Sequence, residues 1–581
     1  MRSVILLLLL TTSVPAAELT LNLALRWQNA PLGVPSPELP NVHGQVLRIT
    51  RFSALVSNLV LLSADGSRVQ LAGQYGFVDA ESNRMSVPLQ NVPTGDYAGL
   101  EFQIGLSPSV NHGDPGQWPA RHALNPIVNG LHWSWTGGYV FAAIEGRWSS
   151  VNPSSPGSTD PLRGFSYHLA TDERLMRIRF VSRFSVSGPT SVALALDLAR
   201  VLGSQRLSPD DGSESTHSGP GDSLAVSLAT ALERAWFFLE AVPTIPATQA
   251  VMSGSLERGD LTATPRAFIA PRGFPQPELP ADNPLTEQGV ALGQRLFHDR
   301  RLSAGNGQSC ASCHQEDRAF SDDRALSPGV SGAVGSRNSM PLFNLAWSPH
   351  YAWDGGQEKI RDQVRAAIIN PLEMQADLAV VTAELNHDAG LRAMFAEAFG
   401  GPEISAERIL LALEQYLLTL TATDSKFDQA LRGEAQLTED EQRGFTLFAN
   451  ENDVARGVRG ADCFHCHGGA LFTDYSFRDN GLGDDTSDQG RAEVTQRSGD
   501  RGKFKTPSLR NIALTAPYMH DGRFAKLEDV VAHYDHGVSR TANLDPNLAK
   551  HPEAGLQLSA DDQRALVAFL RTLTDPRNGL L

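Results

Sequence analysis

Two Cys-x-x-Cys-His segments, Cys310-Ala-Ser-Cys313-His314 and Cys463-Phe-His-Cys466-His467, contain all four cysteines of the 581-residue chain. Paired thiols at this spacing form thioethers to the vinyl carbons of a porphyrin, and the adjoining imidazole ligates its iron. A four-cysteine zinc site and a pair of disulfides are the competing chemistries. Zinc requires no histidine directly after each pair, and a disulfide framework belongs to small secreted domains rather than to a chain this long. The spacing therefore predicts two covalent c-type haems. Cys310, Cys313, Cys463 and Cys466 are the attachment points, and His314 and His467 the proximal ligands.

The elements that must position these groups are legible from periodicity. Thr286-Glu-Gln-Gly-Val-Ala-Leu-Gly-Gln-Arg-Leu-Phe-His and Thr438-Glu-Asp-Glu-Gln-Arg-Gly-Phe-Thr-Leu-Phe place apolar residues at helical spacing ahead of each motif. This weak repeat predicts two mainly α-helical, cytochrome-c-like lobes, residues 284–435 and 436–581. Upstream, Leu19-Thr-Leu-Asn-Leu-Ala-Leu alternates, as does the stretch from Leu175 to Val186, with turns at Asp65-Gly66 and Thr94-Gly95-Asp96. Residues 18–240 thus read as an all-β sandwich. Leu224–Leu239 looks helical, and the Pro- and Ala-rich residues 241–283 read as a linker. The fold class is multidomain: a β-sandwich followed by two haem lobes.

Residues 1–17 combine basic Arg2, an apolar run from Val4 to Leu10 and small residues at Ala16 and Ala17, the pattern of a secretory signal peptide. No later run approaches the ~20 apolar residues of a membrane span. A formal net charge of −16 argues against nucleic acid or an anionic membrane surface as partner. Export agrees with covalent haem, and a periplasmic location is expected.

Residues 284–577 resemble the bacterial dihaem cytochrome c peroxidase family, and within it the MauG-like and MbnH-like enzymes. The resemblance rests on Leu296-Phe-His-Asp299, Arg337-Asn-Ser339, Trp353-Asp-Gly355, Pro371-Leu-Glu-Met374, Lys505-Thr-Pro-Ser-Leu-Arg-Asn511 and Leu514-Thr-Ala-Pro-Tyr-Met-His-Asp-Gly522. It implies a first, peroxide-binding haem and a second haem that stores oxidising equivalents. Peroxidases of this family often supply a distal histidine after the first motif, but residues 315–349 contain none. That favours an open first haem, as in the MauG-like branch. The axial methionine of the second haem is replaced by Tyr534, a hard oxygen ligand suited to high-valent iron; His533 and His536 are the neighbouring alternatives. By the same resemblance Trp353 bridges the haems, and Glu373 and Gln363 belong to the distal pocket, with Glu373 moving the peroxide proton. Asn338, Thr515 and Pro517 match an inter-haem calcium site. Ala367 stands where a proline is usual.

Residues 18–240 resemble the MbnP-like copper-binding proteins, through Gly105–Pro115, Pro126–Phe141 and Phe165–Leu169. In that family a dihaem enzyme oxidises a tryptophan of its partner to kynurenine, and the altered protein binds copper. His112 and His168 are the leading copper ligands, with His132 and His217 behind them. Trp133 and Trp135, alternate residues on one strand face, are the candidates for modification; Trp27, Trp118, Trp148 and Trp236 read as core. The expected function is peroxide-dependent oxidation of a tryptophan in the fused domain. One alternative is a cytochrome c peroxidase fed by a small cytochrome or cupredoxin. Another is an electron-transfer and copper-storage protein.

Overall fold

The computed structural model describes residues 16–133, 138–150, 162–243, 263–453, 457–483 and 487–577. Trp135, most of residues 1–17 and much of the expected linker therefore lie outside the described residues. The amino-terminal half is β-rich and the carboxyl-terminal half helical, as the periodicities predict.

Among the described residues, sheets of five and eleven strands enclose the amino-terminal core. The strand Ala16–Trp27 buries Leu19, Leu21, Leu25 and Trp27 and pairs in parallel with Thr190–Asp197, Leu21 opposite Val192. Trp148 and Trp236 are also buried there, and Trp118 packs against the cluster. One sequence expectation is corrected. The helix ends at Arg234, and Trp236–Pro243 is a strand paired with Thr190–Asp197. Its Trp-Phe-Phe run suits a pleated surface better than a helix.

Two strands depart from the rule of one buried face. Gly138–Ser149 and Arg163–Ala170 are buried almost throughout. Their register puts Ala143 opposite His168, Glu145 opposite Ser166 and Arg147 opposite Gly164. The polar alternates thus share one face, and the second haem lobe covers it. Arg147 donates to the Ala542 carbonyl at 2.5 Å, and Asn547 Nδ2 to Glu145 at 3.3 Å.

Each haem lobe is built around a close helix pair. Thr286 caps Glu287–Phe297, where Gly293 lets the helix approach Ala406–Thr419 so closely that a Cβ would lie 2.0 Å from the Ala412 carbonyl oxygen. Thr438 caps Glu439–Ala449, and Gly444 plays the same part against Ala565 at 1.9 Å. The weak sequence repeat is thus one packing device used twice. Residues 263–283 of the expected linker are a packed strap. Phe274 is buried in the first lobe, the Pro275 carbonyl accepts from Trp347 Nε1 at 2.7 Å, and that of Gln276 from Asn125 at 3.0 Å.

Gly164 meets the second lobe most tightly: an added Cβ would lie 1.8 Å from the Pro546 carbonyl oxygen. Gly164→Ala should therefore loosen the docking and cost about 1–3 kcal/mol, read as a lower Tm with haem content unchanged. An unaltered Tm would show that this contact does not hold the halves together.

Candidate functional site

Both haem motifs form a single short turn in which the histidine amide donates to the first cysteine carbonyl, at 3.0 Å in each case. None of the four cysteines pairs with another. His314 Nδ1 donates to the Phe320 carbonyl at 2.9 Å, and His467 Nδ1 to that of Phe472 at 3.1 Å. Fixing Nδ1–H in this way leaves each Nε2 lone pair for iron. The donor set fits two haems held through these six residues.

Trp353 lies on a relay between the motifs. Its indole Nε1 donates to the Asn338 carbonyl at 2.9 Å, and its own carbonyl accepts from Lys505 N at 2.7 Å. The Met340 backbone, two residues from Asn338, reaches His314, and the Pro507 backbone, two from Lys505, reaches His467. Arg337 clamps the arrangement by pairing with Asp354 at 2.5 Å and with both oxygens of Asp488 at 2.7 and 2.8 Å. Gly355 turns beneath with φ of 67°, where a Cβ would meet the Phe477 ring at 2.2 Å.

Tyr534 sits in a widened helical turn, His533–Gly537, a form that often marks functional sites. Its hydroxyl accepts from Asn480 Nδ2 at 3.3 Å and lies close to Cys466 and Cys463. Burial raises its pKa, so the phenolate would need iron to hold it. His533 donates to the Asn480 carbonyl at 3.0 Å, and His536 is exposed beside Asp535. The Met519 sulfur, not considered from sequence as a ligand, shares Asn480 at 3.5 Å.

Glu373 adjoins the first motif: its charge acts on Cys313, and its carbonyl accepts from Gln308 and Val330. The side chain is exposed rather than buried as its role suggested, yet the surrounding protein raises its pKa, and Asn370 donates to it at 2.8 Å. Gln363 is half-buried on the helix Ile360–Ile369 that precedes it. Asn338 is buried, its Nδ2 donating to the Arg324 and Ala325 carbonyls, which leaves its side-chain oxygen available. The loop bearing Thr515 and Pro517 packs beside it, joined by Asn338 N to His520 O at 2.6 Å.

The copper candidates separate. His112 is exposed and paired with Asp172 at 3.0 Å, and His132 is buried edge-on against Tyr139. Neither joins the group the fold assembles, in which one ring nitrogen each of His168, His217 and His465 lie within 4.8 Å of one another. His465, a residue the sequence reading passed over, stands between the cysteines of the second haem motif. Each outer nitrogen meets a carboxylate: His168 Nε2 to Glu145 at 2.9 Å, His217 Nδ1 to Glu451 at 2.5 Å, and His465 Nε2 to Asp462 at 3.3 Å. Lys550 is also 3.3 Å from His465 Nε2 and pairs with Glu451 at 2.8 Å.

Trp133 packs against this group. Its ring lies 5.8 Å from those of His168 and His217, and 5.5 Å edge-on from Phe464, also inside the second haem motif. A cleft of about 40 Å³ lined by His132, Trp133, Phe464 and His465 runs alongside, enough for water.

A profile described as di-haem cytochrome c peroxidase matches residues 287–436, and the MbnP profile matches residues 16–218. The methylamine utilization protein MauG of Methylorubrum extorquens is 35% identical over 328 residues, spanning 56% of this chain and 88% of that protein. Cytochrome c peroxidase Ccp of Escherichia coli is 35% identical over 312 residues, 52% of this chain and 61% of that protein. A crystal structure of a MauG-like protein associated with microbial copper homeostasis aligns with TM-score 0.50 at 35% identity, covering 54% of this chain and 97% of that one. Fold and site together define a dihaem oxidoreductase. The chain belongs to the di-haem cytochrome c peroxidase family, MauG-like in its carboxyl-terminal half and fused to an MbnP domain.

Glu373 lies beside the first motif, where a proton carrier would be needed. Glu373→Gln should lower peroxide-dependent turnover by about 10²–10⁴-fold while leaving both haem spectra intact; unchanged turnover would assign the proton to another group. Burial also holds His132 and His168 at about 4 instead of 6.5. The unfolded chain then binds their protons first, so stability is full above about 6.5 and declines as pH falls towards 4. Denaturant melts at stepped pH should show this loss, and His132→Phe should reduce it.

Proposed function

We propose that this protein uses hydrogen peroxide to oxidise Trp133 of its own β domain to kynurenine, and that the oxidised domain holds copper. The observation carrying this reading is the packing of Trp133 against Phe464, between the cysteines that would anchor the second haem.

The haems, when bound, supply peroxide reduction and storage of the oxidising equivalents. This chain's residues do the rest. Glu373, beside the first motif, moves the proton from the inner to the departing peroxide oxygen. Trp353, on its backbone relay, carries electron holes between the motifs. Tyr534 would be the residue to hold the second haem's iron through its phenolate oxygen, a hard donor that would favour the oxidised state. Trp133 gives up electrons across the van der Waals contact with Phe464. The balance needs two peroxides: tryptophan gains two oxygen atoms as N-formylkynurenine while two waters form, and hydrolysis releases formate. Water in the adjoining cleft serves that hydrolysis. We further infer a periplasmic location and a calcium ion held by Asn338, Thr515 and Pro517, where amide and carbonyl oxygens suit a hard cation.

Peptide mass spectrometry before and after peroxide should place the new oxygen on Trp133. Trp133→Phe should abolish it, and Trp353→Phe should do so with normal haem content. Modification that survives Trp353→Phe would remove that residue from the path. If the oxygen appears nowhere while a reduced small cytochrome or cupredoxin sustains peroxide turnover, the protein is a conventional cytochrome c peroxidase.

A further inference from the structure

Three imidazoles from distant parts of the chain converge at the seam between the halves. The ring centroids of His168, His217 and His465 are 4.9, 5.3 and 4.6 Å apart. A metal bound at the usual ~2.0 Å puts each ring centre roughly 3.2 Å from the ion, so three imidazoles at tetrahedral angles have centres roughly 5 Å apart. The observed triangle has that size before any ion enters.

Hydrogen bonding points the same way. His168 Nδ1, His217 Nε2 and His465 Nδ1 are buried, with no hydrogen-bond partner among the described residues. An orphaned polar atom in the interior is costly, and one per ring in a single cluster calls for an explanation. On two of the rings the opposite nitrogen is held by a carboxylate, His168 Nε2 by Glu145 and His217 Nδ1 by Glu451, while His465 Nε2 lies 3.3 Å from both Asp462 and the Lys550 ammonium. A carboxylate there sets the tautomer, turns the other lone pair inward and makes it a better donor. The neighbouring trio of Glu451, Asp462 and His465 needs no added ion, because the Lys550 ammonium already lies 2.8 Å from Glu451 and 3.5 Å from Asp462.

We propose that His168, His217 and His465 form a three-imidazole copper site shared by the two halves, its third ligand taken from within the second haem motif. The choice of copper rests on the proposed function; the three-ligand geometry does not depend on Trp133 being oxidised. Two consequences follow. Metal cross-links the β domain to the haem half. The ion also sits on a residue flanked by both thioether cysteines, so its binding perturbs the second haem.

The test uses the full dihaem chain. Chelator-buffered Cu⁺ should bind once per chain and shift the second haem's potential, and X-ray absorption should count three imidazoles. His465→Gln should weaken binding by more than the roughly 10–100-fold lost when an outer partner of a ligand is removed, and should leave two imidazoles. Unchanged affinity in His465→Gln, or two imidazoles in the unsubstituted protein, overturns the shared site. The unsubstituted count decides the matter even if the variant fails to acquire haem. Trp133 peptides from the same samples keep the two readings apart. Oxidised Trp133 with binding indifferent to His465 removes this site alone, whereas three imidazoles beside unaltered Trp133 removes only the oxidation.

Discussion

Buried charge at the seam between the halves is the constraint on which the rest of the structure depends. Glu145, Asp462 and Lys550 are buried and Glu451 nearly so, and two of the four, Glu145 and Glu451, have partners across the boundary. Glu145 takes Asn547 from the haem half, and Glu451 takes Ser215 and His217 from the β domain. Removing one partner of a buried ionic group costs about 3–5 kcal/mol, because the remaining charge has no water to turn to. Sliding the β domain along the second lobe would strip Glu145 of Asn547 and Glu451 of Ser215 and His217, leaving Glu145 with Arg51 and Glu451 with Lys550. These polar contacts add to the apolar packing of Trp133 on Phe464, which by itself tolerates repacking.

This changes what the fusion accomplishes. A flexible tether of this length would supply a millimolar effective concentration and leave the encounter to chance. Here the strap from residue 263 to 283 lies packed on both halves, and the β domain is already seated. The tryptophan does not search for the haem lobe. Its ring is held in contact with Phe464, so the oxidation proposed above would need no domain motion.

Much of this was legible in the sequence because it is local. The Cys-x-x-Cys-His spacing, the capped helices beginning at Thr286 and Thr438, and the alternation in Leu19–Leu25 each lie within a dozen residues and report a single element. What escaped was long-range. His465, Glu451 and Lys550 meet His217, named from sequence only as a weaker copper candidate, from the other half of the chain, and no spacing rule connects them. His112, on a matched segment, drew attention that its exposed pairing with Asp172 does not support. The strand Trp236–Pro243 was misjudged for a related reason. Its pairing with Thr190–Asp197 overrides the helical pattern continuing from Ser223.

The two haem motifs make the same point within five residues each. Their cysteines and histidines are fixed by attachment chemistry, but the two intervening positions are free. In the first motif they are Ala311 and Ser312, small residues, with Ser312 closing its own turn by accepting from Ser309 N at 3.0 Å. In the second they are Phe464 and His465, both buried at the seam with the β domain. An aromatic ring and an imidazole serve no purpose in thioether formation. The difference is accounted for by what lies above: Trp133 on the one side chain, His168 and His217 on the other. The positions that haem chemistry leaves unconstrained are thus the ones that record the docked domain.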